Sequence, residues 1–321
     1  MNYYKMFLDF TVVIPTYNGA SRLPKLLDRL LVQNNSDRLS WEVIIVDNNS
    51  TDDTAKVVRN YQANWPQAYP LRYYLEKEQG SAYTRLRGVK EAKAELIGFL
   101  DDDNLPDPDW VATAYSFSKE HPKAGAWSGQ THGDFEIPPP ENFRRIQAFL
   151  AIREYGPKPK LFAPENLSLP TAAALVVRKQ AWNESVPTRP TLRGRLGGSM
   201  LGGEDYEALL YMHKVGWEIW YNPEMHTYHQ IPRSRLERNY LLSLSRGCGL
   251  ATCHLRLINA KNWQKPIAIA KTLLGNLRRM ALHLIKYRGE LKNDAIAACE
   301  MEFFIGSFLS PFYLLKINIQ K

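Results

Sequence analysis

Cysteine is scarce in this 321-residue chain: Cys248, Cys253 and Cys299 are the only three, all late and none spaced as C-x-x-C. An odd count without metal-ligand spacing speaks against a disulfide framework and a zinc site, and a reducing, cytoplasmic setting is expected. Also missing are low-complexity tracts and repeats of solenoid period, so neither disorder nor a repeat array is indicated. The first residues, "MNYYKMFLDF", lack the basic-then-apolar layout of a signal peptide. No uncharged apolar run reaches the ~18 residues of a spanning helix. "FFIGSFLSPFYLL" (303–315) comes nearest, contains Pro311, and is expected at most to lie in an interface.

Charge is present but unevenly placed. Residues 230–321 carry 15 Lys and Arg against 5 Asp and Glu, a net of +10, which leaves 26 against 28 for the first 229. Such a tail is a surface for anionic partners. Hydrophobic residues at 45% and charged residues at 23% are ordinary globular values, and the length suffices for one large α/β domain with an appendage or for two modest domains.

Short apolar strands alternate with helix-like segments over the first hundred residues, the pattern of βαβ units. Strands are expected at "TVVIPTY" (11–17), "WEVIIVD" (41–47), "LRYYLE" (71–76) and "LIGFLD" (96–101). Between them, "SRLPKLLDRLLVQ" has Ser21 as an expected N-cap, and "STDDTAKVVRNYQ" is expected to open at Ser50 or Thr51. Later, "TAAALVVRKQAW" (171–182) reads as a strand, Glu204 as a helix start, and the residues beyond Arg233 as helices.

In an open sheet of this kind ligands bind outside the carboxyl ends of the strands. The residues to inspect are therefore Thr16, Tyr17 and Asn18, then Asp47, Asn48 and Asn49, then Asp101, Asp102 and Asp103. Three adjacent aspartates repel one another and are costly to desolvate. A solvated turn capping a helix is the plain reading of "FLDDDNLPDPDW"; a divalent cation such as Mg²⁺ or Mn²⁺, completed by phosphates, is the functional one.

The ordered motifs "VVIPTYN", "EVIIVDNNSTDDT", "FLDDDNLPDPDW" and "GGEDYEALLYMHKVGWEIWYNPEMHTYH" closely resemble family 2 glycosyltransferases over roughly residues 10–230. More narrowly, the chain is similar to the cyanobacterial group linked to hormogonium polysaccharide synthesis. The resemblance implies an α/β GT-A fold, a Rossmann-like mixed sheet with a nucleotide-sugar half (about 1–105) and an acceptor half (about 106–230), followed by a basic helical region (231–321). It implies an inverting, Mn²⁺- or Mg²⁺-dependent transfer of a sugar from a nucleotide-diphospho-sugar, UDP-sugar favoured, to a glycan or lipid-linked acceptor.

Carried over by position, Pro15, Thr16 and Tyr17 surround base and ribose, Asn49 stands beside them, and Asp47 bonds the pyrimidine. Asp101 or Asp102 supplies the ribose contact; Asp103, with Asp101, binds metal. The general base is Asp205, with Glu204 as neighbour, a helix N-terminus preferring acids being the alternative. His229 matches a position near metal or diphosphate. Arg85, in "EKEQGSAYTRLRGVKEA", stands on the segment flanking the nucleotide, against the alternative of a solvated helix face. The glycines at 197, 198, 202 and 203 suit either a closing loop or a surface turn.

Two departures from the family pattern bear on specificity: Asn48 replaces a second acid, and "VPTRPTLRGRLGGSMLGG" replaces the usual apolar acceptor loop. The tail, "SRLERNYLLSLSRGCGLATCHLRL" and "IAKTLLGNLRRMALHLIKYRGEL", has amphipathic spacing suited either to an anionic membrane, where each basic residue adds roughly 1 kcal/mol, or to packing on the domain. No nucleic-acid partner is expected. A processive synthase is disfavoured by the absent Q-x-x-R-W, and a nucleotidyltransferase by the absent glycine-rich loop after "VVIP". A catalytically idle nucleotide-sugar scaffold remains the competing class.

Overall fold

A computed structural model describes residues 8–319; residues 1–7, most of the opening "MNYYKMFLDF" read above as unlike a signal peptide, lie outside the described residues. The chain begins β1 (Phe10–Thr16), α1 (Leu23–Leu31), β2 (Trp41–Asp47), α2 (Thr54–Asn64), β3 (Leu71–Leu75), α3 (Ser81–Glu91) and β4 (Leu96–Phe99). β1, β2, β3 and β4 are parallel, with β1 between β2 and β4. Both faces are covered: Phe10, Val12, Ile14, Val43 and Ile45 pack into one core cluster, while Val13, Ile44 and Val46 enter the other. That is why these strands read as continuous apolar runs rather than alternating ones.

The second half adds β5 (Asn104–Pro106), α4 (Trp110–Glu120), β6 (Ala124–Phe135), β7 (Lys160–Leu161), β8 (Leu175–Arg178), α5 (Lys179–Ser185), α6 (Glu204–Lys214) and β9 (Glu218–Ile231). The sheet runs β3-β2-β1-β4-β8-β6-β9-β5, with β7 on β9, nine strands in all. β8 runs antiparallel to β4 and β6, and β5 to β9, so the sheet is mixed.

Several local expectations fail for tertiary reasons. Ser21 is not the cap of α1; Arg22 takes that position without a side-chain cap, its guanidinium being drawn to Asp102. α2 starts at Thr54, because Ser50 is engaged by Asp47 and the Thr51 N–H donates to Asn18 Oδ1. Residues 171–182 divide into a short 3₁₀ turn at Ala172–Ala174, the strand β8 and the start of α5. The long β6 is unforeseen: its glycines and polar residues mask a strand whose pairing with β9 gives it a place.

Four helices close the chain: α7 (Arg238–Leu250), α8 (Thr252–Asn259), α9 (Lys265–Tyr287) and α10 (Ala295–Ile319). α10 extends well beyond the 303–315 run, with Pro311 inside it, and its stretch Ala295–Lys316 is long and apolar enough to cross a membrane by length and composition. Part of that apolar surface is buried against α7, Ile296 and Cys299 packing with Leu241 and Leu244. The two helices approach at glycines, where a Cβ on Gly306 would stand 2.3 Å from Arg246 O and one on Gly249 2.5 Å from Phe303 O.

α9 is inverted. It buries Thr272, Asn276 and His283 and exposes Ile267, Leu274, Leu277, Leu282, Leu284 and Ile285, with Leu274 67% and Ile285 66% accessible. Most of the inward polar groups find partners: the Thr272 hydroxyl accepts from Arg256, Asn276 donates to Thr272 O, and the His283 ring bonds Ala297 O, while Asn276 Oδ1 is buried with no partner among the described residues.

Candidate active site

The loops after β1, β2 and β4 meet the start of α6 and the helices α7 and α8 around a cleft of about 660 Å³. Pro15, Thr16 and Tyr17, the three aspartates, Glu204, Asp205 and His229 all line it, which brings residues more than two hundred positions apart into one cleft. Tyr17 stands 49% exposed at its rim. Asn49, in a left-handed backbone conformation, is exposed and does not line the cleft. Asp47 lies behind the wall: its Oδ1 accepts from the Ser50 N–H and hydroxyl, and its Oδ2 from the Tyr73 hydroxyl at 2.7 Å. Asn48 instead lines the cleft, although its side chain is held by the backbone of Glu76, Glu78 and Gly80.

The three adjacent charges are tolerated because each aspartate has its own arginine. Asp101 pairs with Arg85 at 3.0 Å, Asp102 with Arg22 at 2.8 Å and Asp103 with Arg235 at 2.7 Å. These arginines are a source of neutralisation that the expectation of a cation completed by phosphates left out. Asp102 is a tie as well as a charge: both its oxygens accept from Arg22, and Thr16 donates to it at 2.6 Å, clamping the β1 loop to the end of β4. Gly19 sits so close beneath that a Cβ would fall 2.0 Å from Thr16 Oγ1, so only glycine fits.

Arg85 is no solvated helix residue. Its side chain is 6% exposed and bridges Asp101 to Glu204 Oε1 at 3.4 Å, joining the strand-end motif to the E-D pair. Ser81 also donates to Glu204. Asp205 is left as the available carboxylate: among the described residues no ion pair engages it, and its Oδ2 accepts the Ala172 N–H at 3.0 Å. Burial pushes Asp205 above the ordinary carboxylate range, and the neighbouring Glu204 charge adds to the shift. Asp101 is 37% exposed into the cleft, yet its enclosure by protein pushes it up to about 6, with Arg85 opposing.

Four arginines that sequence reasoning passed over also line the cleft: Arg22, Arg153, Arg195 and Arg235. Only Arg235 left a visible trace, following His229 by six residues in "HQIPRSR". Of the glycine loop, Gly194 and Gly203 are fixed by positive φ and close neighbours, while Gly197 and Gly198 meet nothing within 4 Å. Cys248 lines the cleft too, but burial pushes its thiol up to about 11, which leaves it unreactive as a nucleophile. His226, the other histidine of "HTYH", does not line the cleft; its Nδ1 lies 2.9 Å from His132 Nε2.

No group of three or more His, Cys, Asp or Glu among the described residues is arranged to hold a metal ion. Two of the expected ligands nevertheless fit one. Asp103 Oδ2 and His229 Nε2 lie 3.6 Å apart, and His229 Nδ1 is 2.8 Å from Leu150 O. A carbonyl only accepts, so Nδ1 carries the proton and Nε2 presents a lone pair, the arrangement seen in metal-binding histidines. Carboxylate oxygen and imidazole nitrogen suit Mn²⁺, with phosphates filling the remaining positions.

The fold is that of GT-A enzymes. The mannosyltransferase PcManGT from Pyrobaculum calidifontis, in complex with GDP-Man and Mn²⁺, superposes with a TM-score of 0.58 at 18% identity, over 95% of this chain and 87% of that one. S. aureus TarS 1-349 in complex with UDP-GlcNAc gives a TM-score of 0.52 at 16% identity, over 95% and 92%. In sequence, the GalNAc(5)-diNAcBac-PP-undecaprenol beta-1,3-glucosyltransferase of Campylobacter jejuni is 33% identical over 96 residues, 29% of each chain. The matches span about a third of the length of the first curated relatives. The family model described as glycosyl transferase family 2 matches residues 11–181, over half of the chain, and the chain belongs to that family.

Proposed function

We propose that this chain is an inverting glycosyltransferase that moves one sugar from a nucleotide-diphospho-sugar, UDP-sugar by preference, to a hydroxyl of a glycan or lipid-linked acceptor in polysaccharide biosynthesis. One observation carries the reading: a single cleft holds an arginine-rich Asp103–His229 pair suited to a diphosphate and a half-buried carboxylate, Asp205, that no ion pair engages among the described residues. Tyr17 at the rim offers a stacking face to the base, with Pro15 and Thr16 beside it. Arg153 and Arg195 offer charge to phosphate oxygens, and a buried Nε of Arg153 has no partner. Asp205 takes the proton of the acceptor hydroxyl as it attacks from the side opposite the leaving group. A divalent metal held by Asp103 and His229 would supply Lewis-acid stabilisation of that group.

The donor reading is tested by thermal unfolding of the full chain with UDP, GDP, CDP or dTDP, each with and without Mn²⁺. UDP with Mn²⁺ is expected to raise Tm by about 5 °C at saturating concentration. If no nucleotide moves Tm under either condition, the donor assignment fails.

The inverted α9 supports an acceptor carried at a membrane surface. It presents leucines and isoleucines outward, has five Lys and Arg and no Asp or Glu, and lies beside the 68% exposed Trp263. A cationic helix with its apolar face outward suits the boundary of an anionic leaflet, and the three unpaired cysteines agree with its cytoplasmic side. The chain is expected to sediment with vesicles of mixed anionic and zwitterionic lipid, less so at high salt. The triple variant L274S, L277S, I285S should stay in solution, and equal sedimentation of that variant would remove α9 from membrane contact.

A further inference from the structure

Of the three arginines that neutralise the aspartates, Arg235 is placed differently from the others. Arg22 holds Asp102 with two bonds and adds a third to Tyr17 O, and Arg85 is locked between two carboxylates. Arg235 stands on the short 3₁₀ stretch after β9, with 25% of its side chain accessible. One arm donates to Asp103 Oδ2 at 2.7 Å and the other to His229 Nε2, also at 2.7 Å. Its fork thus spans the two atoms that fit a divalent cation, and among the described residues no backbone group or third side chain pins it.

Both ends of that span are fixed independently of the arginine. The other oxygen of Asp103 accepts from Asn104 Nδ2 at 2.9 Å, and the Asp103 carbonyl accepts the Gln230 N–H across the sheet. His229 is oriented by Leu150 O. The pair is therefore preorganised and would persist if the guanidinium left. A guanidinium has no lone pair to give, so its bond to Nε2 requires the bare form of that nitrogen, the same form a metal requires.

We propose that Arg235 is a built-in counter-ion for the cation site: it holds Asp103 and His229 ready, keeps free divalent metal out, and yields the pair to a metal that arrives with a diphosphate. The proposal rests on the donor reading above. Its physical basis is charge. A dication entering alone must displace a +1 group from a nearly buried carboxylate, whereas a metal paired with a diphosphate brings anionic oxygens that the released guanidinium can meet in the same cleft. Arg235 is thereby a positioning residue that makes metal uptake depend on nucleotide, and it discourages idle occupancy of the site by whichever divalent ion is most abundant.

Electron paramagnetic resonance of free Mn²⁺, titrated with the full chain and no nucleotide, reads this directly. Wild type is expected to bind Mn²⁺ alone weakly, and Arg235→Gln to bind it about tenfold more tightly, the size expected when one nearby like charge is removed. Adding Asp103→Asn to Arg235→Gln should abolish the gain, and Arg235→Lys, which keeps the charge but cannot fork, should stay near wild type. In unfolding experiments Mn²⁺ alone should raise the Tm of Arg235→Gln and leave wild type unmoved. Equal Mn²⁺ affinity of wild type and a cooperatively folded Arg235→Gln would overturn the proposal, as would tight Mn²⁺ binding by wild type without nucleotide. Should Arg235→Gln fail to fold, Arg235→Lys decides: a gain matching loss of the charge overturns the charge argument, and wild-type-like weakness sustains it. Since no donor is present, these results stand apart from the nucleotide experiment, whose failure would instead remove the donor reading.

Discussion

Asp205→Asn is expected to lower the turnover of sugar transfer by about a thousandfold while leaving nucleotide affinity within about twofold, because asparagine keeps the shape and the hydrogen bond from Ala172 but cannot take a proton. The assignment rests on elimination inside one cleft. Glu204 is engaged by Arg85 and Ser81, Asp101 by Arg85, and Asp102 and Asp103 by their own arginines. Burial, reinforced by Glu204, raises Asp205, so its basic form is lost earlier as pH falls than an exposed aspartate's would be. Transfer should therefore show an acid limb above the ordinary carboxylate range. Replacing Glu204 by glutamine removes the like charge and should move that limb to lower pH. Nucleotide titration and steady-state rates of the asparagine variant test the point together; unchanged turnover would exclude Asp205 as the base.

The second large effect is expected from Arg85→Met. The arginine is nearly inaccessible and bridges Asp101 and Glu204, so its removal leaves two carboxylates facing one another without their shared cation. Breaking such a buried pair from one side costs about 3 kcal/mol. The loss should appear as a lower urea midpoint with an unchanged slope. Arg85→Lys should recover only part of it, since an ammonium cannot span both partners in the same geometry. Adding Glu204→Gln to Arg85→Met should restore part of the stability, because one of the stranded charges is then gone. A loss below about 1 kcal/mol for Arg85→Met would mean that solvent in the cleft already carries the charges, and that the clamp is not a structural element.

How much of this was legible depended on range. β2 was read to its last residue, since a strand buried on both faces writes itself as an unbroken apolar run between polar turns. The helix at Glu204 was equally plain, with a glycine before it and acids in its first turn. The start of α2 was missed although serine and threonine are good caps, because Ser50 had been claimed by Asp47 and Thr51 by Asn18. β6 was invisible for a similar reason: its place comes from β9, nearly a hundred residues away.

The aspartate cluster marks the division most clearly. Its position at a strand end and the family of the chain were legible in the sequence alone, because short-range apolar patterning and the order of motifs are local properties of the chain. What neutralises the cluster was decided only by the tertiary structure. Arg22, Arg85 and Arg235 come from a helix cap, a helix interior and a turn after the last strand. Nothing local marks an arginine as the partner of a carboxylate 16, 80 or 132 residues away. The same holds for α9, whose spacing announces an amphipathic helix while only packing decides that its polar side turns inward and its leucines face out. Periodicity specifies that a helix has two faces; the neighbours available to each face decide which one is buried.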